Sequence, residues 1–292
     1  MYQRIVLILI SLICSRLSNA IDLQPGEVVP PKQETSILQS SISYSERGDF
    51  YKNGEKISTS SEIKSVNYIV RIAQSFYIQE IPAVVYAQTP AGYVHVKNSP
   101  TSPAMTNTNG DSGLGDSSLA FAIWPYVNHE SNKFFGIAAY LTLPSGSYSD
   151  QRLFNMGGNR YQYALQTGYQ QQILSKVHWM IAWDALHSTD NEEYLPIRLK
   201  QEQAPIYTTQ TGLKYDLSQR YSLTGMYFYT HGGQTTLNNT DMNDELSLHR
   251  YQLSAQGNFD FGRFLLQYGG DIKTENKFKE DHRIIFRYTF RF

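Results

Sequence analysis

Four groups of side chains in this sequence have the residue types that chemistry needs. In His129-Glu130-Ser131-Asn132 an imidazole stands two residues from a hydroxyl. On a strand, where side chains alternate, the two would share a face, and the histidine would serve the serine as general base in ester hydrolysis. Two stretches are rich in carboxylates: Asp111 and Asp116 around Ser112-Gly113-Leu114-Gly115, and Asp241 and Asp244 in Asn238-Asn239-Thr240-Asp241-Met242-Asn243-Asp244. Such oxygens suit calcium, but neither stretch has the spacing of a helix-loop-helix calcium site, so solvated loops are expected. The seven histidines are scattered, without zinc-ligand spacing on one face, and neither a metal nor another cofactor is expected. The last group is cationic. Arg250, Arg283, Arg287 and Arg291 lie in alternating segments, as cations lining a water-filled pore would. Unpaired, they favour anions; paired with Asp184 or Asp271, they would brace the wall instead.

The arginines define the element that must hold them. Over residues 282–292, Phe286, Tyr288, Phe290 and Phe292 fall on one face of a strand, and Arg283, Arg287 and Arg291 fall on the other, because side chains alternate with period two. Aromatics turned to lipid and cations turned to water make the pattern of a transmembrane β-barrel strand. A final strand ending in Phe also resembles the C-terminal signal by which bacterial outer-membrane proteins are handed to the barrel-insertion machinery. That machinery and outer-membrane lipid are therefore expected partners.

About twelve alternating segments run from Ser36 to Phe292, an even count as in bacterial barrels. Tyr251, Leu253, Ala255 and Phe259 oppose Gln252, Ser254 and Gln256; Tyr161, Tyr163 and Leu165 oppose Arg160 and Gln162; Val177, Trp179, Ile181 and Trp183 oppose His178 and Asp184. The expected fold is an all-β, antiparallel transmembrane barrel with a polar lumen. Its lumen or solute-path residues would be Arg160, His178, Asp184, Arg250, Gln252, Asp271, Arg283, Arg287 and Arg291, with Lys214 and Lys273 beside them. His178 and Asp184 would face the lumen together, and Arg160 would reach Asp150 or line the mouth. Tight connections at 174–176, 216–220 and 260–263 alternate with long ones at 47–60, 90–116, 145–159, 187–193, 231–245 and 271–281. In such barrels the short turns face the periplasm, which places both termini there.

The two ends of the chain complete the organisation. Residues 1–20 have a basic start at Arg4, an apolar centre and a small-residue exit at Ser18-Asn19-Ala20, the anatomy of a secretory signal peptide cut after Ala20. The single cysteine, Cys14, lies inside it, so disulfides and cysteine-based metal sites are not expected. Residues 21–34, with Pro25, Pro30 and Pro31, cannot make a regular strand and read as a periplasmic lead-in to a barrel over 35–292. Twenty-two Tyr and fourteen Phe, with only 17% charged residues, suit strands that each carry an apolar and a polar face. The net charge of −1 leaves no basic surplus for nucleic acid.

Three motifs then carry a resemblance: Gly113-Leu114-Gly115-Asp116, Leu143-Pro144-Ser145-Gly146-Ser147-Tyr148, and Gly157-Gly158-Asn159-Arg160. Together with Tyr207, Tyr215, Gly232-Gly233 and the Arg-rich last strand, they resemble the outer-membrane proteins named for the meta-cleavage pathway of phenol degradation, a group of transporters of aromatic compounds. The resemblance spans nearly the whole chain after the leader. It implies a channel or transporter for uptake of small molecules, aromatic or hydrophobic ones among them, and no enzyme activity. Two alternatives stand beside it. One is a phospholipase-like hydrolase using His129 and Ser131, although Lys133 replaces the glycine expected next and the motif falls on a turn. The other is a structural or adhesive barrel.

Overall fold

The computed structural model describes residues 21–32, 34–57, 62–98 and 108–292, and the leader 1–20 lies outside them. Twelve long strands dominate: β1 (Ser36–Lys52), β2 (Glu62–Ile78), β3 (Ile81–Lys97), β4 (Ser118–Asn128), β5 (Lys133–Thr142) and β6 (Gln162–Leu174). They continue as β7 (Val177–Ser188), β8 (Ile206–Asp216), β9 (Tyr221–Gly232), β10 (Leu246–Phe259), β11 (Gly262–Glu275) and β12 (Phe278–Arg291). Each pairs antiparallel with its neighbour in sequence, and β12 pairs with β1, so the sheet closes on itself. Closure leaves no long edge with unpaired backbone groups, the condition for strands to cross a bilayer.

Alternation sets the faces as the sequence indicates. Leu165, Trp183, Leu223, Leu253, Leu266 and Phe286 are exposed outward, whereas Gln166, Asp184, Thr224, Gln252, Gln267 and Arg250 are buried inward. Phe286, Phe290 and Phe292 are exposed on β12 and just beyond it. Replacing Phe290 and Phe292 by Asp should lower the inserted fraction several-fold, since each charge on the lipid face near an interface costs up to about 1 kcal/mol. The heat-shifted gel band of folded barrel in isolated membranes measures this, and an unchanged band would refute the assigned face.

One end of the barrel has short turns, at 79–80, 129–132, 175–176, 217–220 and 260–261. There Ser36 and Phe292 exchange backbone hydrogen bonds of 2.9 and 3.0 Å. The other end carries the longer connections, with corrections to several of the expected loops, since strands occupy parts of 47–60, 90–116, 231–245 and 271–281. Residues 271–281 are not a loop: β11 and β12 run on to the two-residue turn Asn276-Lys277, with Asn276 at φ 59°. Likewise β1 continues to Lys52 and turns at Asn53-Gly54 into the short strand Glu55–Ile57, positive φ at both turn residues making the tight hairpin possible. A second short strand, Gly110–Leu114, pairs with the upper half of β3. Pro90 sits where β3 changes partner from β4 to that strand, at a position that need not donate to a ladder.

A four-stranded sheet of short segments, Asn191–Tyr194, Leu199–Gln203, Thr235–Leu237 and Thr240–Asp241, stands over the long-loop end. It packs around Leu153, Tyr194, Leu195, Leu237 and Met242. Asp244 caps it by accepting from the Thr235 N–H at 2.7 Å; burial pushes its carboxyl above the ordinary aspartate range against the pull of the Thr235 hydrogen bonds.

The main correction concerns residues 21–34. Rather than leading in from outside, residues 21–29 lie within the barrel. Leu23 and Val28 are buried in one cluster with Phe134, Met180, Ala182, Met226 and Phe228 from β5, β7 and β9. The prolines rule out a strand, as expected, but a segment without ladder partners must satisfy most of its backbone elsewhere; one turn bond joins the Glu27 N–H to the Gln24 carbonyl, and the polar lumen supplies other partners.

Candidate functional site

The lumen has two unlike walls, and residues 21–29 lie between them. On one side, β10, β12, β1 and β2 present Arg250, Arg283, Arg287, Arg47 and Arg71 inward. On the other, β5, β7 and β9 present the apolar cluster of Phe134, Met180, Ala182, Met226 and Phe228.

Asp22 meets the cationic wall. Its carboxylate accepts from Arg250 at 2.5 and 3.0 Å and from Arg283 at 3.0 Å, and the guanidinium of Arg250 also lies 4.7 Å from the centre of the Phe228 ring. Arg283 donates to Glu280 at 2.6 Å, and Glu280 in turn is bonded to the buried Arg47. Five residues on, Glu27 pairs with Arg71 at 3.1 Å and Arg287 at 3.7 Å, while Arg71 stacks 4.1 Å from the Tyr86 ring centre. Main-chain contacts fix the register of the segment. The Leu23 N–H donates to Gln210 Oε1 at 2.7 Å; Gln210 and Gln166 amides both donate to the Ile21 carbonyl; and the Trp124 indole donates to the Val28 carbonyl at 2.7 Å.

The expected lumen residues are thus only partly brought together. Arg250, Arg283 and Arg287 converge on the inserted segment, and Gln252 lines the water-sized void beside Arg250 and Arg283. Their partners are Asp22, Glu27 and Glu280, not Asp184 or Asp271. Asp271 faces Arg250 in the strand register but accepts from the Glu280 N–H at 2.8 Å. Asp184 is fully buried against Gln210 at 2.8 Å. His178 does not meet it: both point inward, but His178 bonds Asp216 at 2.8 Å by the short-turn end, where Lys214 also pairs with Asp216. Arg291 is exposed at that same end. Arg160 is buried by the rim, donating to Gln203 at 2.6 Å, while Asp150 pairs with Arg198. Lys273 is outside altogether. A register shift between β10 and β11, which pairs His249 with Lys273 and Arg250 with Asp271, leaves Ile272 unpaired and flips the following residue.

The other chemical candidates resolve as structural. His129 and Ser131 fall in the turn 129–132, where the His129 ring packs edge-on against Phe134 and no hydrogen bond joins it to Ser131 among the described residues. All four carboxylate oxygens of Asp111 and Asp116 are taken by protein donors: Arg152 and the Met156 N–H for Asp111, the Gly146 and Gly158 N–H groups for Asp116. Asp241 accepts from the Thr236 hydroxyl. Among the described residues no cluster of three or more His, Cys, Asp or Glu side chains could hold a metal. The three motif stretches instead form one knot at the rim, in which Gly146 and Gly157 stack so closely that a Cβ on Gly146 would lie 2.8 Å from the Gly157 Cα.

Comparison with known proteins follows the same lines. Residues 47–288 match the family model described as "Putative MetA-pathway of phenol degradation". The crystal structure of the COG4313 outer membrane channel from Pseudomonas putida F1 superposes with a TM-score of 0.87 at 24% identity, over 93% of this chain and all of that one. The translocator domain of the autotransporter NalP from Neisseria meningitidis (TM-score 0.51, 11% identity, 92% of each chain) and the β domain of the Bordetella autotransporter BrkA (0.56, 6%, 89% of this chain and 100% of that one) share the barrel. No curated protein matches the chain in sequence.

Proposed function

The chain belongs to the family described as "Putative MetA-pathway of phenol degradation", and from that premise we propose that it is an outer-membrane channel for uptake of small molecules, aromatic or hydrophobic ones among them. One observation carries the reading: the lumen is filled by a segment held through side-chain contacts, not by the side chains of the wall alone. A scaffold needs no such arrangement, whereas a channel that must stay shut to ions and open to a solute does. The Pseudomonas putida structure, described as an outer membrane channel, supports the same reading through its shared fold. In this orientation the short turns face the periplasm, the leader is removed after Ala20, and residues 21–34 enter the lumen from the periplasmic side.

The test uses purified protein in liposomes, scoring entry of benzyl alcohol and release of fatty acid together. Solute entry should exceed that of empty liposomes. Fatty acid release should stay at background in both wild type and Ser131→Ala, because a serine in a turn without a bonded base is not an activated nucleophile. Release lost on Ser131→Ala would replace the channel with a hydrolase.

A further inference from the structure

The contacts of Asp22 and Leu23 describe a ligand. A carboxylate is gripped by two arginines, Arg250 buried and Arg283 half-buried, and the apolar side chain next to it lies among Met180, Met226 and Phe228. Glu27 and Val28 repeat the combination: a carboxylate between Arg71 and Arg287, with the apolar neighbour in the same cluster. Beside the first site lies a void of about 10 Å³, lined by Arg250, Arg283, Gln252 and Phe228, room for one water at most. Any solute using this site must therefore displace the segment. If the segment leaves, the guanidinium groups of Arg250 and Arg283 lose a carboxylate partner in a narrow lumen, which an incoming anion restores.

We propose that residues 22–23 occupy the seat of the solute, and that the solute is a small molecule bearing one carboxylate on an apolar body. The carboxylate binds Arg250 and Arg283, and the body lies against Met180, Met226 and Phe228. This rests on the channel reading and narrows it from aromatic or hydrophobic molecules in general to their carboxylic acids. The tethered Asp22 competes at a high effective concentration, so wild-type affinity for a free carboxylate is weak and removal of the Asp22 charge strengthens it.

Benzoate, benzyl alcohol and acetate are the probes, with binding measured by calorimetry on the purified folded protein. Benzoate should bind Asp22→Asn at least tenfold more tightly than wild type, and Arg250→Gln with Arg283→Gln should lose that gain. Benzyl alcohol and acetate should each bind at least tenfold more weakly than benzoate. Arg250→Lys, which keeps the charge, guards against a variant that fails to fold and should retain part of the affinity. Equal binding of benzyl alcohol and benzoate, or benzoate binding indifferent to Asp22 and the arginines, overturns the proposal. Liposome entry separates the two readings. Entry of benzyl alcohol without any benzoate preference leaves the channel standing and removes this inference, whereas arginine-dependent benzoate binding without entry of any solute does the reverse.

Asp184 carries a second inference, which rests on the channel reading and on removal of the leader after Ala20. It is fully buried, and its Oδ1 has no hydrogen-bond partner. Its Oδ2 accepts from the Gln210 amide, which also holds the Ile21 carbonyl together with Gln166. The carboxylate therefore lies one amide away from the Ile21 main chain. A buried carboxyl so placed is either protonated or paired with a cation. We infer that the cation is the α-ammonium of Ile21, produced when a leader peptidase hydrolyses the Ala20–Ile21 bond: water adds across the amide, Ala20 leaves as carboxylate, and the Ile21 amine is protonated. The mature protein should begin at Ile21 by N-terminal sequencing. Two residues inserted before Ile21 should raise the open fraction in bilayers at least tenfold, Asp184→Asn should do the same, and the combination should add nothing further. A mature chain starting elsewhere, or an insertion without effect, overturns it.

Discussion

Deleting residues 21–34 should convert the closed barrel into a steadily conducting one, with single-channel conductance in planar bilayers rising at least tenfold. The segment contributes nothing to the strand ladders, all twelve of which close without it, so the deleted protein should still show the heat-shifted gel mobility of a folded barrel. What it does contribute is occupancy of the lumen: five guanidinium–carboxylate contacts and the burial of Leu23 and Val28. Losing two such aliphatic side chains removes about 3–6 kcal/mol of burial, and the arginines left behind are re-solvated by the water that enters. A lower unfolding temperature together with higher conductance is the expected pair of results. Unchanged conductance would mean that the wall itself blocks the pore, and would end the account of residues 21–34 as its closure.

Gly146→Ala should dismantle the rim knot. A Cβ there would lie 2.7 Å from the carbonyl carbon of Gly115, 2.8 Å from the Asp116 nitrogen and 2.8 Å from the Gly157 Cα. All three are backbone atoms, so no side chain can move aside, and the substitution costs about 3 kcal/mol or more. The same shift withdraws the Gly146 N–H from the Asp116 carboxylate. Residues 143–160 should become readily cut by protease and exchange their amides quickly, while the barrel strands stay protected. Asp116→Asn, which leaves the glycine packing but weakens the charge-assisted bonds to Gly146 and Gly158, should show a smaller effect in the same direction. Protection of 143–160 at wild-type level in Gly146→Ala would contradict the close stacking.

Much of this architecture is legible in the sequence, because a barrel strand announces both of its faces. Tyr251, Leu253 and Ala255 against Gln252, Ser254 and Gln256 read outward and inward without ambiguity, and so does the last strand. Lys273 is misread because period-two counting fails wherever one residue is left unpaired, and nothing in Asp271-Ile272-Lys273 marks the shift. The long-loop ends are misread for the opposite reason: the asparagine, lysines and acids at 271–281 suggest a loop, yet Asn276-Lys277 needs only two residues to turn. Residues 21–34 are legible as a segment that cannot be a strand but not as one inside the barrel. Their position depends on charges supplied by Arg71 and, from strands more than two hundred residues away, by Arg250, Arg283 and Arg287. A usable signal was present: an acid followed by an apolar residue at Asp22-Leu23 and again at Glu27-Val28, in a chain whose last strand carries cations without neighbouring acids of equal number. The motif glycines are legible as turn residues, whereas their mutual stacking is visible only once three separate stretches meet.

The β12 strand closes the barrel against β1 and also carries Arg283 and Arg287, which hold Asp22 and Glu27 across sequence separations as large as 261 residues. Contacts of that range form late, since the intervening chain must be ordered before its ends can meet. The chain consequently cannot latch its own lumen during synthesis or insertion: until the last strand is in place, residues 21–34 lack half of their ionic partners. Closing the wall and sealing the passage therefore belong to one terminal step of assembly, and a barrel stalled short of β12 would be both unzipped at its seam and open through its middle.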